Sequence, residues 1–476
     1  MNFFRTKPHR NHHPVTPGEI EAARQRTLKL SVRDGVAWSV MVGFGDMYLS
    51  PFAVFLKASN WAIGFLTTMP PLLGALAQMA GAHWADRIGR RRDLIVPLIM
   101  LHAIAFLPIY FVPFFFRAAA VPALILFAAL GVLFNMAAAP IWTSMMGEVV
   151  PENARGDYWG RRSRVLMLTV LLASLTAGGT LYLFQQAGRI WTGFGILFCV
   201  AFVARIISAL FLERHYDPPY APGPESHFSF WAFIRRMPHS NFARYALYFS
   251  LMMGASNIAA PFFTVYMLRD LKWDYAHYTL SQALFLLTQV FLVGWWGRIG
   301  DRHGNRVVIA ATSFILPLLP FLWLVSTNYY YLLGVQLVSG IGWSGFTIAA
   351  QNFTFDAVSI QKRARVAAYV SVLHGFCMLA GGTLIGAPLA NHLPSAYSLG
   401  PVRIAFLSSL PSLFAVSGLA RFAVAVLLLK KFKEVRSGHE HIHPMVLILR
   451  LAGGSLLAGF VSGLLKQEEE EDRRDG

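Results

Sequence analysis

Runs of about twenty apolar residues, separated by short polar gaps, recur from residue 35 to residue 429. At 1.5 Å per residue such a run crosses a bilayer core of roughly 30 Å. The pattern predicts twelve helical spans near 35–57, 61–84, 94–116, 120–147, 164–186, 191–213, 243–268, 276–298, 307–326, 329–355, 364–390 and 408–429. The longest polar stretch, 214–242, is rich in Pro, His and Arg and sits at mid-chain. It reads as a linker between two six-helix bundles, 34–213 and 243–430, flanked by a basic N-terminal segment, 1–33, and a tail, 431–476. The expected fold is therefore all-α and polytopic, with two pseudo-symmetric bundles.

Composition agrees with this pattern. Of 476 residues, 55% are hydrophobic and only 14% charged, against roughly 25% charged in soluble domains. A net charge of +17 first suggests nucleic acid. The basic residues, however, fall in the gaps between apolar runs, where loops face anionic lipid, so the bilayer is the expected partner and nucleic acid is not. Loops after even-numbered spans hold most of the Arg and Lys. Loops after odd-numbered spans hold only Lys57, Arg117, Arg189, Arg269, Lys272 and Arg403. That bias puts both termini in the cytoplasm. Cys199 and Cys377 fall in apolar runs of different halves, so no structural disulfide is expected. The first 33 residues are polar and basic and read as no cleavable signal peptide. The expected location is a bacterial cytoplasmic (inner) membrane.

The halves repeat each other. Asp86-Arg87-Ile88-Gly89-Arg90-Arg91 follows span 2, and Gly297-Arg298-Ile299-Gly300-Asp301-Arg302-His303-Gly304-Asn305-Arg306 follows span 8 in the same register. Ala177-Gly178-Gly179-Thr180-Leu181 in span 5 recurs as Ala380-Gly381-Gly382-Thr383-Leu384 in span 11. Span 6 carries Arg205 and span 12 carries Arg421, each after an Ala. Glu148 and Asp356 end spans 4 and 10, and Arg155 and Arg363 each follow seven positions later. Such coincidences in matching order argue for duplication.

These motifs resemble those of the major facilitator superfamily of secondary transporters. Its Gly-x-x-x-Asp-Arg-x-Gly-Arg-Arg loop lies between helices 2 and 3 and is echoed between helices 8 and 9. The first copy here has Ala82 for the usual Gly, and the second has Asn305 for a basic residue. The resemblance covers about residues 33–430. It implies two bundles around a cavity lined by helices 1, 4, 7 and 10, and rocking between two states. It also implies that Arg90 pairs with Glu148.

A helix N-terminus carries about half a positive charge. Asp86 is placed to meet the start of helix 11 and Asp301 the start of helix 5, while Gly89 and Gly304 permit the reversal between helices. With Arg87, Arg155, Gly297, Arg302, Arg306 and Asp356, these residues form a candidate latch on the cytoplasmic side. The alternative is a loop that only sets topology.

Of 24 acids, only Asp46 is expected deep inside the bilayer, in Gly43-Phe44-Gly45-Asp46-Met47-Tyr48. A carboxylate there costs on the order of 3 kcal/mol and faces a cavity or a partner. It is the candidate proton or substrate site, with Tyr48 beside it. Aligning Pro51 with Pro261 places Ser256 opposite, next to Asn257. Asn135, Trp142, Thr143 and Ser144 in helix 4, and Trp343, Ser344, Gln351 and Asn352 in helix 10, offer amides and indoles to the cavity or join helices. His374 in helix 11 and His102 in helix 3 can titrate or serve as structural hydrogen-bond partners. Arg205 and Arg421 read as structural residues that snorkel toward the cytoplasm.

His9, His12, His13, His439, His441 and His443 lack metal-ligand spacing, so no metal and no cofactor are expected. Residues 445–465 form an apolar stretch broken by Arg450, expected to lie at the interface rather than span. No nucleophile–base cluster and no nucleotide loop is present, which argues against an enzyme and against ATP-driven pumping. The expected function is secondary active transport of a small solute by a monomer, with protons as candidate coupling ion. An uncoupled uniporter and a non-transporting sensor or assembly protein are the alternatives.

Overall fold

The first helix begins far earlier than hydropathy places it. In the computed structural model, α1 (Pro17–Phe44) is set by a capping box. The Thr16 hydroxyl accepts from the Glu19 backbone N–H, and the Glu19 carboxylate accepts from the Thr16 N–H, with Pro17 at the first helical position. The structure describes residues 16–88, 90–116, 119–151, 154–219, 235, 240–358, 363–399, 402–435, 444 and 446–447. The histidine-rich tails and nearly all of the apolar stretch 445–465 lie outside them, as does most of the linker.

After α1 the chain turns through a 3-10 segment, Asp46–Tyr48, and resumes as Leu49–Phe55. Eleven further rods follow: α2 (Asn60–Ile88), α3 (Arg91–Phe116), α4 (Ala120–Val149), α5 (Arg155–Gln186), α6 (Ile190–Glu213), α7 (Asn241–Asp270), α8 (Tyr275–His303), α9 (Asn305–Val325), α10 (Tyr329–Ala357), α11 (Arg363–Leu379, running on to His392) and α12 (Leu410–Lys431). These eleven contain segments long and apolar enough to cross a membrane. In α1 the polar first half dilutes the apolar signal. A short antiparallel hairpin, β1 (Ala396–Leu399) and β2 (Val402–Ala405), joins α11 to α12 and is invisible to hydropathy.

Packing repeats between halves. Helix α1 packs on α5 and α6, α2 and α3 on α4, and α3 on α6. Adding six to each label gives the main contacts of the second half. The broken first helix repeats too, since α7 is interrupted near Ile258 and Ala259 before Pro261. Pro51 and Pro261 lack the N–H that Met47 and Asn257 carbonyls need four residues earlier, which explains a break at matching places.

Capping acids repeat as well. Asp217, just past α6, accepts from the Arg92 backbone N–H at 3.1 Å, and Glu434, just past α12, accepts from the Arg306 backbone N–H at 2.7 Å. Each meets the free N–H groups at the start of the third helix of its half. Gly304, at φ +89°, makes the reversal before α9, and a side chain there meets Glu434.

Helix α2 packs on α11, where Gly375 meets Leu72, and α5 packs on α8; among the described residues the buried hydrophobic cluster shared by the halves lies toward one end. A hydrophobic cluster joining Phe52, Phe194 and Phe198 to Phe262, Trp323 and Phe414 spans both halves at the end away from the basic loops. At the basic end each half keeps its own cluster: Ile95, Met145, Val149 and Leu212 in the first, and Tyr245, Trp296, Phe353 and Phe432 in the second. The described inter-half hydrogen bonds follow the same division. Asn60 donates to Asn391 at 2.8 Å and accepts from Arg269, Thr68 pairs with Thr383 at 2.8 Å, and the Tyr275 N–H donates to Gln185.

Candidate functional site

Asp46 sits in the break of α1. Gly45, just before it, packs against Ala201, halfway along α6, and so holds Asp46 near the middle of the bundle. Asp46 is exposed, within electrostatic reach of Arg205. A carboxylate exposed at such a depth in the bilayer is the kind of group that faces a cavity or a partner.

Arg205 does not snorkel. It is 3% exposed. Its Nε donates to His102 Nδ1 at 3.1 Å, one terminal nitrogen donates to Ser208 Oγ at 3.0 Å, and the other donates to Asn135 Oδ1. The bond from Arg205 fixes His102 as an acceptor at Nδ1, so its proton sits on Nε2. Its counterpart Arg421 finds only backbone carbonyls, of Leu316 and Ser256. The charged core thus belongs to the first half.

A buried acid accompanies Asp46. Asp34 is 5% exposed, and the Ser208 hydroxyl donates to it at 2.6 Å. The hydropathy pattern begins the first span at residue 35 and so leaves Asp34 at a helix end. The Thr16–Glu19 capping box was the signal that places it inside a helix.

Other residues fall into three groups. Trp142, Trp343, Asn352 and His374 are half-buried, and Gln351 is exposed. The Arg162 guanidinium lies over the Trp142 ring at 4.7 Å, and Trp142 Nε1 has no hydrogen-bond partner. His374 stands edge-on to Phe249 at 5.2 Å with Nε2 unpartnered. Both nitrogens are buried in this state.

Tyr48 is a bolt, not a lining residue. It is buried, and its hydroxyl meets Thr279 Oγ1 of the other half and the Ser174 carbonyl, both at 2.8 Å. Gly178 packs directly on Thr279, and a Cβ there overlaps the threonine side chain. In the duplicated pentapeptide Gly382 likewise faces Thr68 across the halves. Ser256 and Asn257 are buried, and the Asn257 amide donates to its own helix at Met253 O, so neither faces an open cavity in this state.

At the basic end the structure corrects one pair. Arg91, not Arg90, binds Glu148, with two bonds of 2.7 and 3.0 Å. Arg91 also reaches Ser144 and Asp217, whereas the Arg90 side chain is 80% exposed beside Asp93. Arg91 is the register equivalent of Arg306, which binds the carbonyls of Leu429 and Phe432. Asn305 donates to Asp356 at 2.9 Å, and Arg155 donates to the Gly147 carbonyl. Asp301 and Arg302 are exposed, Gly297 is half-buried, and Asp86, Arg87 and Gly89 lie outside the residues described at side-chain level. Among the described residues no group of His, Cys, Asp and Glu is arranged to hold a metal.

The model of the Major Facilitator Superfamily matches residues 37–256 and 244–465. No curated protein sequence matches the chain. Among solved structures the chain is similar to the nucleoside transporter NupG, with 13% identity and a TM-score of 0.63 over 86% of this chain and 100% of that one. It is similar to a D-xylose-proton symporter, with 14% identity and a TM-score of 0.59 over 89% and 100%. It is also similar to a bacterial homologue of the iron transporter ferroportin in an inward-facing state, with 16% identity and a TM-score of 0.59 over 87% and 99%. Identities this low establish a shared fold and nothing about cargo.

Proposed function

The chain belongs to the major facilitator superfamily and is a membrane transporter, and on that premise we propose that it carries a small solute by alternating access, driven by protons acting through Asp46. The carrying observation is the exposed Asp46 in the break of α1, in a molecule whose halves share a hydrophobic cluster toward one end and, among the described residues, keep separate clusters toward the other. A carrier needs one site that faces either side in turn. Loading Asp46 with a proton removes a charge from the cavity and lowers the cost of rocking the halves past it.

With the basic loops in the cytoplasm, the closed end is extracellular and this state faces inward. In the outward-facing state Asp86 and Asp301 dock on the starts of α11 and α5 and hold the cytoplasmic end shut, each contact contributing about 0.3–1 kcal/mol. Orientation is testable by itself. Single cysteines at Gly18 and Gly438, in a background without Cys199 and Cys377, are expected to react only with reagent on the cytoplasmic side. Reaction of either from outside reverses the assignment of states.

The transport reading is tested with purified protein in vesicles, acid outside, screened against neutral and charged solutes. Uptake that rises with the pH gradient supports it. Uptake indifferent to the gradient leaves a uniporter, and uptake of nothing in a broad panel leaves a sensor or assembly protein.

A further inference from the structure

We propose that Asp34 sets the proton affinity of Asp46 through Arg205, which it holds in place by way of Ser208; this rests on the reading of Asp46 as the proton site. The two carboxylates lie twelve residues apart on α1, which is about 18 Å along a helix. Arg205 stands between them on α6. Ala201, level with Gly45, is one turn above it, and Ser208, bonded to Asp34, is one turn below.

Ser208 is the pivot. Its oxygen accepts from Arg205 at 3.0 Å, so its own proton is free to go to Asp34, which it does at 2.6 Å. The guanidinium touches no carboxylate directly. Its three partners are the neutral His102, Ser208 and Asn135. Its charge acts on both Asp34 and Asp46, which lie within its range, and the bond to Ser208 fixes how near it stands to each.

Among the described residues the other charged or titratable groups that bear on Asp34 lie on α5: Arg162, which donates to the Ser31 carbonyl, and Tyr158, which bonds Ser31 Oγ. Neither reaches Asp46 in the described contacts. The second half has no such device, because Ser256 replaces Asp46 and Arg421 bonds backbone.

The signs follow from Coulomb's law in a medium of low dielectric. Neutralising Asp34 removes a second negative charge and loosens the hold of Ser208 on Arg205, whose guanidinium is then free to approach Asp46, and both effects favour ionised Asp46. Removing the charge of Arg205 does the reverse. The test is infrared difference spectroscopy of the full chain in vesicles, following the protonated-carboxyl C=O band against pH. The component lost in Asp46→Asn identifies Asp46. In Asp34→Asn that component is expected to titrate about one pH unit lower, a tenfold loss of proton affinity. In Arg205→Gln it is expected to move higher, and Asp34→Asn on the Arg205→Gln background is expected to change little. Asp34→Glu, which keeps the charge, is expected to restore the original midpoint. Should Asp34→Asn fail to fold, Ser208→Ala releases Arg205 toward Asp46 and is expected to shift the band in the same acid direction by less. An unmoved midpoint in folded Asp34→Asn or Ser208→Ala, or a shift of the same sign as Arg205→Gln, overturns the proposal. A band unchanged in Asp46→Asn overturns the proton reading itself.

Discussion

Asp46→Asn is expected to abolish uphill accumulation of the solute while sparing downhill exchange. One pH unit across the membrane is worth about 1.4 kcal/mol, or a tenfold gradient of solute for each proton carried. Asparagine keeps the size of the side chain and one acceptor but cannot take up or release a proton. The accumulation ratio therefore falls to unity at any imposed pH difference, whereas exchange of labelled for unlabelled solute continues. Asp34 does not substitute, since Ser208 and its own burial keep it away from the cavity. Loss of exchange together with accumulation identifies Asp46 as a direct ligand of a cationic solute. Retained accumulation with unchanged pH dependence removes the proton role.

Gly178→Leu is expected to open the closed end. A side chain at this position enters the space of Thr279 and pushes α5 away from α8, breaking the Tyr48–Thr279 bond nearby. Overpacking of this kind costs typically 1–3 kcal/mol, and each lost hydrogen bond about 1 kcal/mol more. Only the state closed at this end bears that cost, so the equilibrium moves toward the other state by tenfold or more. Gly179, the next residue of the same motif, has nothing within 4 Å of a new Cβ. Gly179→Leu is therefore the control and leaves the populations unchanged. Thermal melting of both variants separates a shifted equilibrium from general destabilisation.

Much of the architecture is legible from the chain because it obeys two simple periodicities: the length of an apolar run and the repeat of the halves. Most rods match their expected ranges within a few residues; α5 begins at Arg155 and not near 164, because its first turns are polar and basic. Helix α1 escaped because its cytoplasmic half is polar, and a hydropathy window averages that half away. Its start is written in local capping chemistry instead. The same blind spot hid Asp34, and with it the reason Arg205 is buried. Arg91 and Arg90 are adjacent and chemically identical, so spacing alone does not decide which turns inward toward Glu148; the helix start at Arg91 decides it. Asp217 and Glu434 sit in polar segments beyond the spans and show their meaning only when folding brings them to α3 and α9. Tyr48 was expected in the cavity because of its neighbour Asp46. The 3-10 turn rotates it toward the second half, where it bonds Thr279.

Spin labels at both ends of the molecule test most directly whether the halves alternate around Asp46. One pair replaces Arg189 and Tyr330, exposed at the closed end, and the other replaces Arg161 and Arg298, exposed at the basic end. Double electron–electron resonance is recorded for each pair across a range of pH, in the wild-type background and in Asp46→Asn. The expected result is that the two distances change in opposite senses, one end closing as the other opens, and that Asp46→Asn removes their dependence on pH. Distances that change together, stay fixed, or keep their pH dependence in Asp46→Asn contradict the account.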